Sequence, residues 1–224
     1  MEDKHLTIVF MGDSITEGQY VLHPKRWTKI VANNVRKHLT SVMDNEYLHF
    51  FNRGISGETT RQALERFPKD VQQLAPQLMT LQFGLNDCNC WVTDKGHPRV
   101  SEAAFKANLH EMINRARICG TRHIVLSTNQ PTLRHNKLIS GETLEERRKI
   151  YNAIIREVAH ESGVTLCDMD YEFTRLSSDN LSELLLPEPD LLHLSKSGHE
   201  LYANIIITYI LSAIDTIIKE DFNA

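Results

Sequence analysis

Five short apolar segments, each followed by a longer segment with helical spacing, limit most strongly what this chain can fold into. The apolar segments are 6–11, 47–52, 78–83, 123–128 and 164–169. Most are nearly continuous in apolar residues, as strands buried on both faces are. The helical segments cover about 25–39, 59–74, 101–119, 142–162 and 196–219. Such alternation requires right-handed crossovers and predicts a three-layer α/β/α fold with a five-stranded parallel sheet.

Length and composition fit one globular domain. The chain has 224 residues and shows no internal repeat, low-complexity tract or linker, so we expect a single domain over residues 1–224. Its net charge of −4 gives no support to a nucleic-acid partner, because proteins of that class usually carry a basic face.

The first residues of the chain and its cysteines predict the cellular compartment of the protein. The opening residues, MEDKHLTIVF, contain two acids and only a short apolar run, which does not fit a secretory signal peptide. The four cysteines, at 88, 90, 119 and 167, follow no disulfide spacing and fit free thiols in a reducing compartment. We therefore expect a cytoplasmic protein.

The last apolar segment, 205–218, allows more than one role. Polar residues, among them Asp215, interrupt it, so we expect no transmembrane segment. The apolar region 201–218 can pack wholly on the sheet, or part of it can form a homodimer interface. The sequence leaves both alternatives open.

Small, acidic and amide-bearing residues follow the predicted strands, where a parallel sheet binds its ligands. Gly12, Asp13 and Ser14 follow the first strand, and the segment NRGISGET after the second contains Gly54 and Gly57. The segment after the third strand reads FGLNDCN and contains Asn86. Near the C-terminus, Asp190 precedes His193 by three residues.

This set of residues has the composition of a serine-nucleophile site. A serine hydroxyl attacks well only when a base takes its proton, and a histidine oriented by a carboxylate is such a base near neutral pH. A spacing of three residues allows Asp190 to reach the ring of His193 within one tight turn. The N–H groups of Ser14 and Gly54 and the amide of Asn86 are candidate donors to an oxyanion.

In these four blocks the sequence resembles the SGNH (GDSL-type) hydrolase superfamily. That family has a GDS block, a glycine, a GxND block and a DxxH block, which here read Gly12-Asp13-Ser14, Gly54, Gly84-Leu85-Asn86-Asp87 and Asp190-Leu191-Leu192-His193. Their order and spacing match from residue 7 to about residue 203. One block alone is a weak signal, whereas all four in order are a specific one.

The resemblance implies a flavodoxin-like fold and hydrolysis of carboxylic esters, sometimes thioesters, through an acyl-enzyme. It also implies that no metal and no organic cofactor take part. By the same resemblance Ser14 is the nucleophile, His193 the base and then the acid, and Asp190 the orienting carboxylate. Ser14, Gly54 and Asn86 would form the oxyanion hole.

Structural roles compete with these assignments. Ser14 can instead cap the following helix, Asn86 can be a turn residue, and Gly54 and Gly57 can serve only to allow positive φ. For Asp13 and Asp87 we expect bracing of their loops and no chemistry.

Motifs of other hydrolase classes are absent from the sequence. Several His-Glu pairs begin like the zinc-binding motif HExxH, but none is followed by the second histidine. The C-x-C at 88–90 has no second pair of residues to complete a zinc site. No G-x-S-x-G segment occurs, which disfavours the α/β-hydrolase architecture.

Two long loops, 87–100 and 129–141, leave the predicted active edge and are candidate substrate-binding loops or lids. They carry aromatic and cationic residues, from which Trp91, Arg99 and Arg134 are our candidate substrate contacts. The alternative is that these loops are solvated and bind nothing. Our interpretation is a short-chain or O-acetyl esterase acting on a polar, carbohydrate-like small molecule. The alternatives are a lysophospholipase or thioesterase for longer acyl chains and a catalytically silent binding module.

Overall fold

A five-stranded parallel sheet forms the centre of the protein. The computed structural model describes residues 5–176 and 180–223. The strands are β1 (Leu6–Gly12), β2 (Leu48–Gly54), β3 (Leu78–Gln82), β4 (His123–Ser127) and β5 (Thr165–Cys167). All pair in parallel in the order β2-β1-β3-β4-β5. The predicted strand number, direction and fold class are confirmed.

Helices connect the strands. They are α1 (Ser14–Glu17), α2 (Trp27–His38), α3 (Thr60–Asp70), α4 (Leu85–Cys88), α5 (Glu102–Ile118), α6 (Leu144–Ser162), α7 (Met169–Leu176), α8 (Leu181–Leu184) and α9 (Lys196–Asn223). Short 3₁₀ turns lie at His23–Lys25, Asn45–Tyr47, Gln72–Leu74 and Val92–Asp94. The five long helices correspond to the five segments with helical spacing.

Local sequence signals set the ends of two of these helices. At the start of α3 the Thr59 N–H donates to Gln62 Oε1 at 3.0 Å. Thr143 accepts from the Glu146 N–H at the start of α6, and Gly163 ends that helix in the left-handed conformation. These capping residues fix where α3 and α6 begin and where α6 ends.

Helices cover both faces of the sheet. Helices α2 and α9 contact each other in one layer, and α3, α5 and α6 contact in sequence in the other. Every residue of β1 is buried, which explains the unbroken apolar run of that strand. Trp27 and Tyr202 are fully buried between α2 and α9, with their ring centroids 4.8 Å apart.

Helix α9 is the most apolar element of the chain. By length and composition alone it is able to cross a membrane, a property that core helices of globular proteins share. Here its buried side chains include Tyr202, Ile206, Ile210 and Ile214, which belong to the core cluster beside the sheet. The helix thus covers the sheet with one face.

Candidate active site

Ser14 lies at the first position of α1, directly after β1. The helix is one turn long, and Gly18 ends it in the left-handed conformation. Asp13 caps this turn, because its Oδ1 accepts from the Ile15 N–H at 2.9 Å. The alternative in which Ser14 is the helix cap is therefore wrong. Its hydroxyl is free to bond elsewhere.

The hydroxyl of Ser14 points to the histidine of the C-terminal loop. The His193 Nε2 atom lies 2.9 Å from Ser14 Oγ, and the His193 Nδ1 atom lies 2.7 Å from Asp190 Oδ2. Because an ionised carboxylate only accepts, His193 donates through Nδ1 and its Nε2 is left to accept from the serine. The three side chains form one chain of hydrogen bonds from opposite ends of the sequence.

Backbone geometry holds Asp190 in place. Its Oδ1 accepts from the N–H groups of Leu192 at 3.0 Å and His193 at 2.6 Å. Leu191, which lies between Asp190 and Leu192, takes a left-handed conformation with φ 57°. Burial by itself works to raise the pKa of Asp190, but the hydrogen bonds from the N–H and ring of His193 and from Leu192 outweigh it. The pKa of this carboxyl is consequently held below its ordinary value.

Two of the three predicted oxyanion donors are free. Within residues 5–176 and 180–223, neither the Ser14 N–H nor the Asn86 side-chain amide has a hydrogen-bond partner. Asn86 lies in α4, immediately after the sharp turn at Gly84, which has φ 134°. A Cβ at Gly84 would lie 2.5 Å from Asn129 Nδ2, so only glycine fits there.

Gly54 differs from the prediction. Its N–H donates to Asn52 Oδ1 at 2.9 Å, so this donor is occupied. A Cβ at this position would lie 2.1 Å from the Glu17 nitrogen, which shows that the glycine is needed for close packing against α1.

Gly57, three residues further on, has an N–H with no partner among the described residues. Its neighbour Ser56 donates its N–H to Glu17 Oε2 at 2.9 Å, which ties this loop to the helix that carries Ser14. Gly57 is thus the free backbone donor of this loop.

Asp13 and Asp87 lie beneath the site and brace it, as expected. Asp87 Oδ1 accepts from the N–H of Thr60 at 2.9 Å and from its hydroxyl at 2.5 Å, at the start of α3. Burial, aided by the repulsion between the two acids, raises the pKa of Asp13 to about 7. Burial likewise raises the pKa of Asp87 to about 6, against the hydrogen bonds from Thr60. Among the described residues, neither carboxylate is hydrogen-bonded to the Ser14 hydroxyl or the His193 ring.

The candidate substrate residues fall into two groups. Arg99 lies over the exposed ring of Trp91, 4.4 Å from its centroid, and donates to the Gly57 carbonyl at 2.9 Å. Arg134 instead donates through Nε to the Asp190 carbonyl at 2.6 Å, and its guanidinium lies 3.9 Å from Asp190 Oδ2. The structure thus places Arg134 against the loop that carries His193.

Sequence reasoning missed Tyr20, whose ring meets the His193 ring edge-on with centroids 5.2 Å apart. An aromatic residue six positions after Ser14 was the only available signal.

The remaining histidines and cysteines do not add a metal site. His199 is buried in α9, where its Nδ1 accepts from the Trp27 N–H at 3.3 Å, and burial lowers its pKa to about 4. Among the residues that the structure describes, no group of three or more His, Cys, Asp or Glu is arranged to hold a metal ion.

With this geometry in place, comparison with known proteins defines the family. The sequence model of the GDSL-like lipase/acylhydrolase family matches residues 10–201, and the chain belongs to that family.

The chain is 33% identical over 125 residues to the uncharacterized lipoprotein YqeF of Bacillus subtilis (strain 168), covering 54% of this chain and 47% of that protein. It spans about half the length of the curated relatives that it matches.

Two solved structures have the same fold. A lipase/acylhydrolase from Enterococcus faecalis matches with a TM-score of 0.69 and 26% identity, covering 92% of this chain and 95% of the other. The acetylxylan esterase Axe2 from Geobacillus stearothermophilus matches with a TM-score of 0.73 and 19% identity, over 93% and 95% of the two chains. Family membership and structural similarity agree on the fold.

Proposed function

We propose that the protein hydrolyses carboxylic esters through an acyl-enzyme, with Ser14 as the nucleophile. The observation that carries this proposal is the continuous chain from Ser14 Oγ to His193 Nε2 at 2.9 Å and from His193 Nδ1 to Asp190 Oδ2 at 2.7 Å. The family supports the same reaction class.

In the first half of the reaction Ser14 Oγ attacks the ester carbonyl carbon while its proton passes to His193 Nε2. The lowered pKa of Asp190 keeps that carboxylate ionised, so it stabilises the histidinium that forms. When the tetrahedral intermediate collapses, the bond to the alcohol oxygen breaks. His193 returns the proton to that oxygen, and the alcohol leaves.

In the second half a water molecule attacks the acyl-enzyme and His193 takes its proton. Collapse of the second intermediate breaks the bond to Ser14 Oγ, which regains a proton from His193. The acid is released and the starting state of the three side chains is restored.

The free donors on the rim suit the negative charge that develops on the carbonyl oxygen. We assign this role to the Ser14 N–H, the Asn86 amide and, in place of Gly54, the Gly57 N–H. Each such donor typically contributes about 10²- to 10³-fold to turnover.

For the substrate we propose a short acyl group, such as acetyl, on a polar or carbohydrate-like alcohol. The segment after Ser14 is a single helical turn, and the loops 87–100 and 129–141 are mainly polar and cationic. The similarity in fold to an acetylxylan esterase supports the same choice.

Exposed apolar side chains on the first loop favour an alternative. Trp91 is 58% and Val92 80% exposed, and a lysophospholipase or thioesterase would use such residues to hold a longer acyl chain.

A series of p-nitrophenyl esters from acetate to decanoate, with Ser14→Ala as the matched control, tests these proposals. We expect the highest kcat/KM at acetate or butyrate and loss of about 10⁶-fold of turnover in Ser14→Ala. A maximum at octanoate or longer would support the alternative. Equal activity of wild type and Ser14→Ala would contradict the mechanism, and no activity on any ester would favour a silent binding module.

We also propose a cytoplasmic location. The four cysteines are free, as in reducing compartments. Fractionation of the native host cells tests this, and recovery in the membrane fraction, as the name of the lipoprotein relative suggests for that protein, would contradict it.

A further inference from the structure

An open recess is lined by two residues that contact the His193 ring, Tyr20 and Asp190. Its lining is apolar except for two charged residues, and it consists of Tyr20, Arg134, Leu186, Pro187, Pro189 and Asp190. The ring of Tyr20 stands at 80° to the ring of His193 and is 66% exposed. One wall of the recess is therefore an aromatic side chain that the protein itself covers only in part.

The backbone of Tyr20 is held in an unfavourable conformation. Its φ is 67°, a region that costs energy for a side chain with a Cβ. Of the four non-glycine residues with positive φ in the described chain, Ala75 and Lys95 end 3₁₀ turns. Of the other two, Tyr20 contacts the His193 ring and Leu191 precedes His193 by two residues. Strain of this kind concentrates at functional sites.

Burial of Tyr20 does not offset this cost. Its ring is mostly exposed, and its hydroxyl has no hydrogen-bond partner among the described residues. A ligand that covers the ring would supply the missing contact, because burying an aromatic face removes a large apolar area from water.

The position of the recess indicates which part of an ester it would cover. The oxyanion donors hold the carbonyl oxygen, and His193 gives its proton to the alcohol oxygen as that group leaves. The alcohol therefore departs next to the His193 ring, which the ring of Tyr20 contacts, and Tyr20 forms one wall of the recess together with the two prolines. Arg134 does not compete for this surface with a free charge, since its guanidinium is engaged by Asp190.

We propose that Tyr20, together with Pro187 and Pro189, binds the alcohol half of the ester and selects alcohols with a saturated six-membered ring, such as a pyranose. The flat face of Tyr20 offers an extended apolar contact to such a ring and little contact to a short open chain. This inference rests on the proposed ester hydrolysis and adds to it the class of alcohol.

The test compares two acetate esters whose alcohols have similar leaving-group strength, cyclohexyl acetate and ethyl acetate. We expect Tyr20→Ala to lower the ratio of their kcat/KM values by about 10-fold, mainly through KM of the cyclohexyl ester. Tyr20→Phe keeps the ring and should keep this ratio within about two-fold. Tyr171, 59% exposed on α7, provides the matched control Tyr171→Ala, which should leave both rates unchanged.

The outcomes separate this inference from the proposed function. Equal loss on both esters in Tyr20→Ala would mean that Tyr20 only supports the His193 ring, and an unchanged ratio would mean that it binds no alcohol. A change in acyl preference instead would place the acyl group in the recess. Each of these results overturns the inference. Failure of the wild type on both acetates, and on the p-nitrophenyl series, would refute ester hydrolysis itself.

Discussion

Two regions of the site hold their carboxyl groups under opposite electrostatic conditions. One is the loop beside His193, which carries Asp190. The other lies beneath Ser14 and contains Asp13 and Asp87. Asp190 is half-buried and accepts from two N–H groups and the His193 ring, so its pKa is lowered. Asp13 and Asp87 are fully buried, and each has one oxygen without a hydrogen-bond partner. Their pKa values rise to about 7 and about 6, with burial as the main cause.

The difference shows how neighbouring acids take separate roles. A carboxylate that stabilises a histidinium must stay ionised, and partial exposure with several donors achieves this. An acid that fixes loop geometry needs only one well-bonded oxygen, and deep burial then favours its neutral form. Three comparisons between variants test this division.

Asp190→Asn should give the largest effect. The amide cannot stabilise the histidinium and favours the wrong tautomer of His193, so we expect kcat/KM to fall about 10³- to 10⁴-fold. The thermal midpoint should change by only a few degrees. Asp13→Asn is the matched control, because an amide can still accept from the Ile15 N–H, and it should retain most of the turnover. A similar loss of activity in both variants would remove the distinction between the two regions.

Asn86 and Asp87 are adjacent but face different environments, so their alanine variants should lose different properties, activity in the first and stability in the second. Asn86→Ala should lower kcat about 10²- to 10³-fold with little change in stability. Asp87→Ala removes the acceptor of two Thr60 hydrogen bonds and should lower the free energy of unfolding by about 1–3 kcal/mol. Urea unfolding measures the stability of both variants, and steady-state kinetics measure their activity. Loss of activity without loss of stability in Asp87→Ala would contradict it.

The smallest effect should appear in the pH dependence of stability. A carboxyl whose pKa rises on folding, here from 3.8 to about 7 and about 6, binds more protons in the folded state. These two acids therefore destabilise the fold progressively as pH rises from about 4 to about 7. Asp190 acts oppositely, since its lowered pKa gives stability that is lost at acid pH.

The double variant Asp13→Asn, Asp87→Asn isolates this contribution. The free energy of unfolding of this variant, relative to that of the wild type, should increase by roughly 2 kcal/mol between about pH 6 and about pH 8. Urea unfolding at the two pH values provides the measurement. A constant difference between the two proteins would show that both acids are ionised throughout this range.

Much of the fold was predictable, because buried parallel strands give unbroken apolar runs such as that of β1. The exact ends of elements and the shortest helices could not be predicted. The predicted strand 164–169 ends at Cys167, since Met169 begins α7 and an apolar residue alone does not separate strand from helix. The one-turn helices α1 and α4 are too short to show periodicity.

The candidate site was likewise predictable only in part. The strand-end rule led to Ser14 and Asn86, because their positions depend on topology, and the three-residue spacing near the C-terminus led to Asp190 and His193. Whether the Gly54 N–H is free depends on the side chain of Asn52, which no spacing reveals. The contact of Tyr20 with His193 likewise depends on a backbone conformation that an aromatic residue seldom adopts.

We propose that His193 activates Ser14 as a nucleophile. Reaction of the intact protein with a fluorophosphonate, followed by mass spectrometry of the whole chain and its peptides, tests this most directly. We expect one adduct per chain, on Ser14, and little labelling of His193→Ala over the same period. No adduct on the wild type, or an adduct on another residue with Ser14 unmodified, would contradict it.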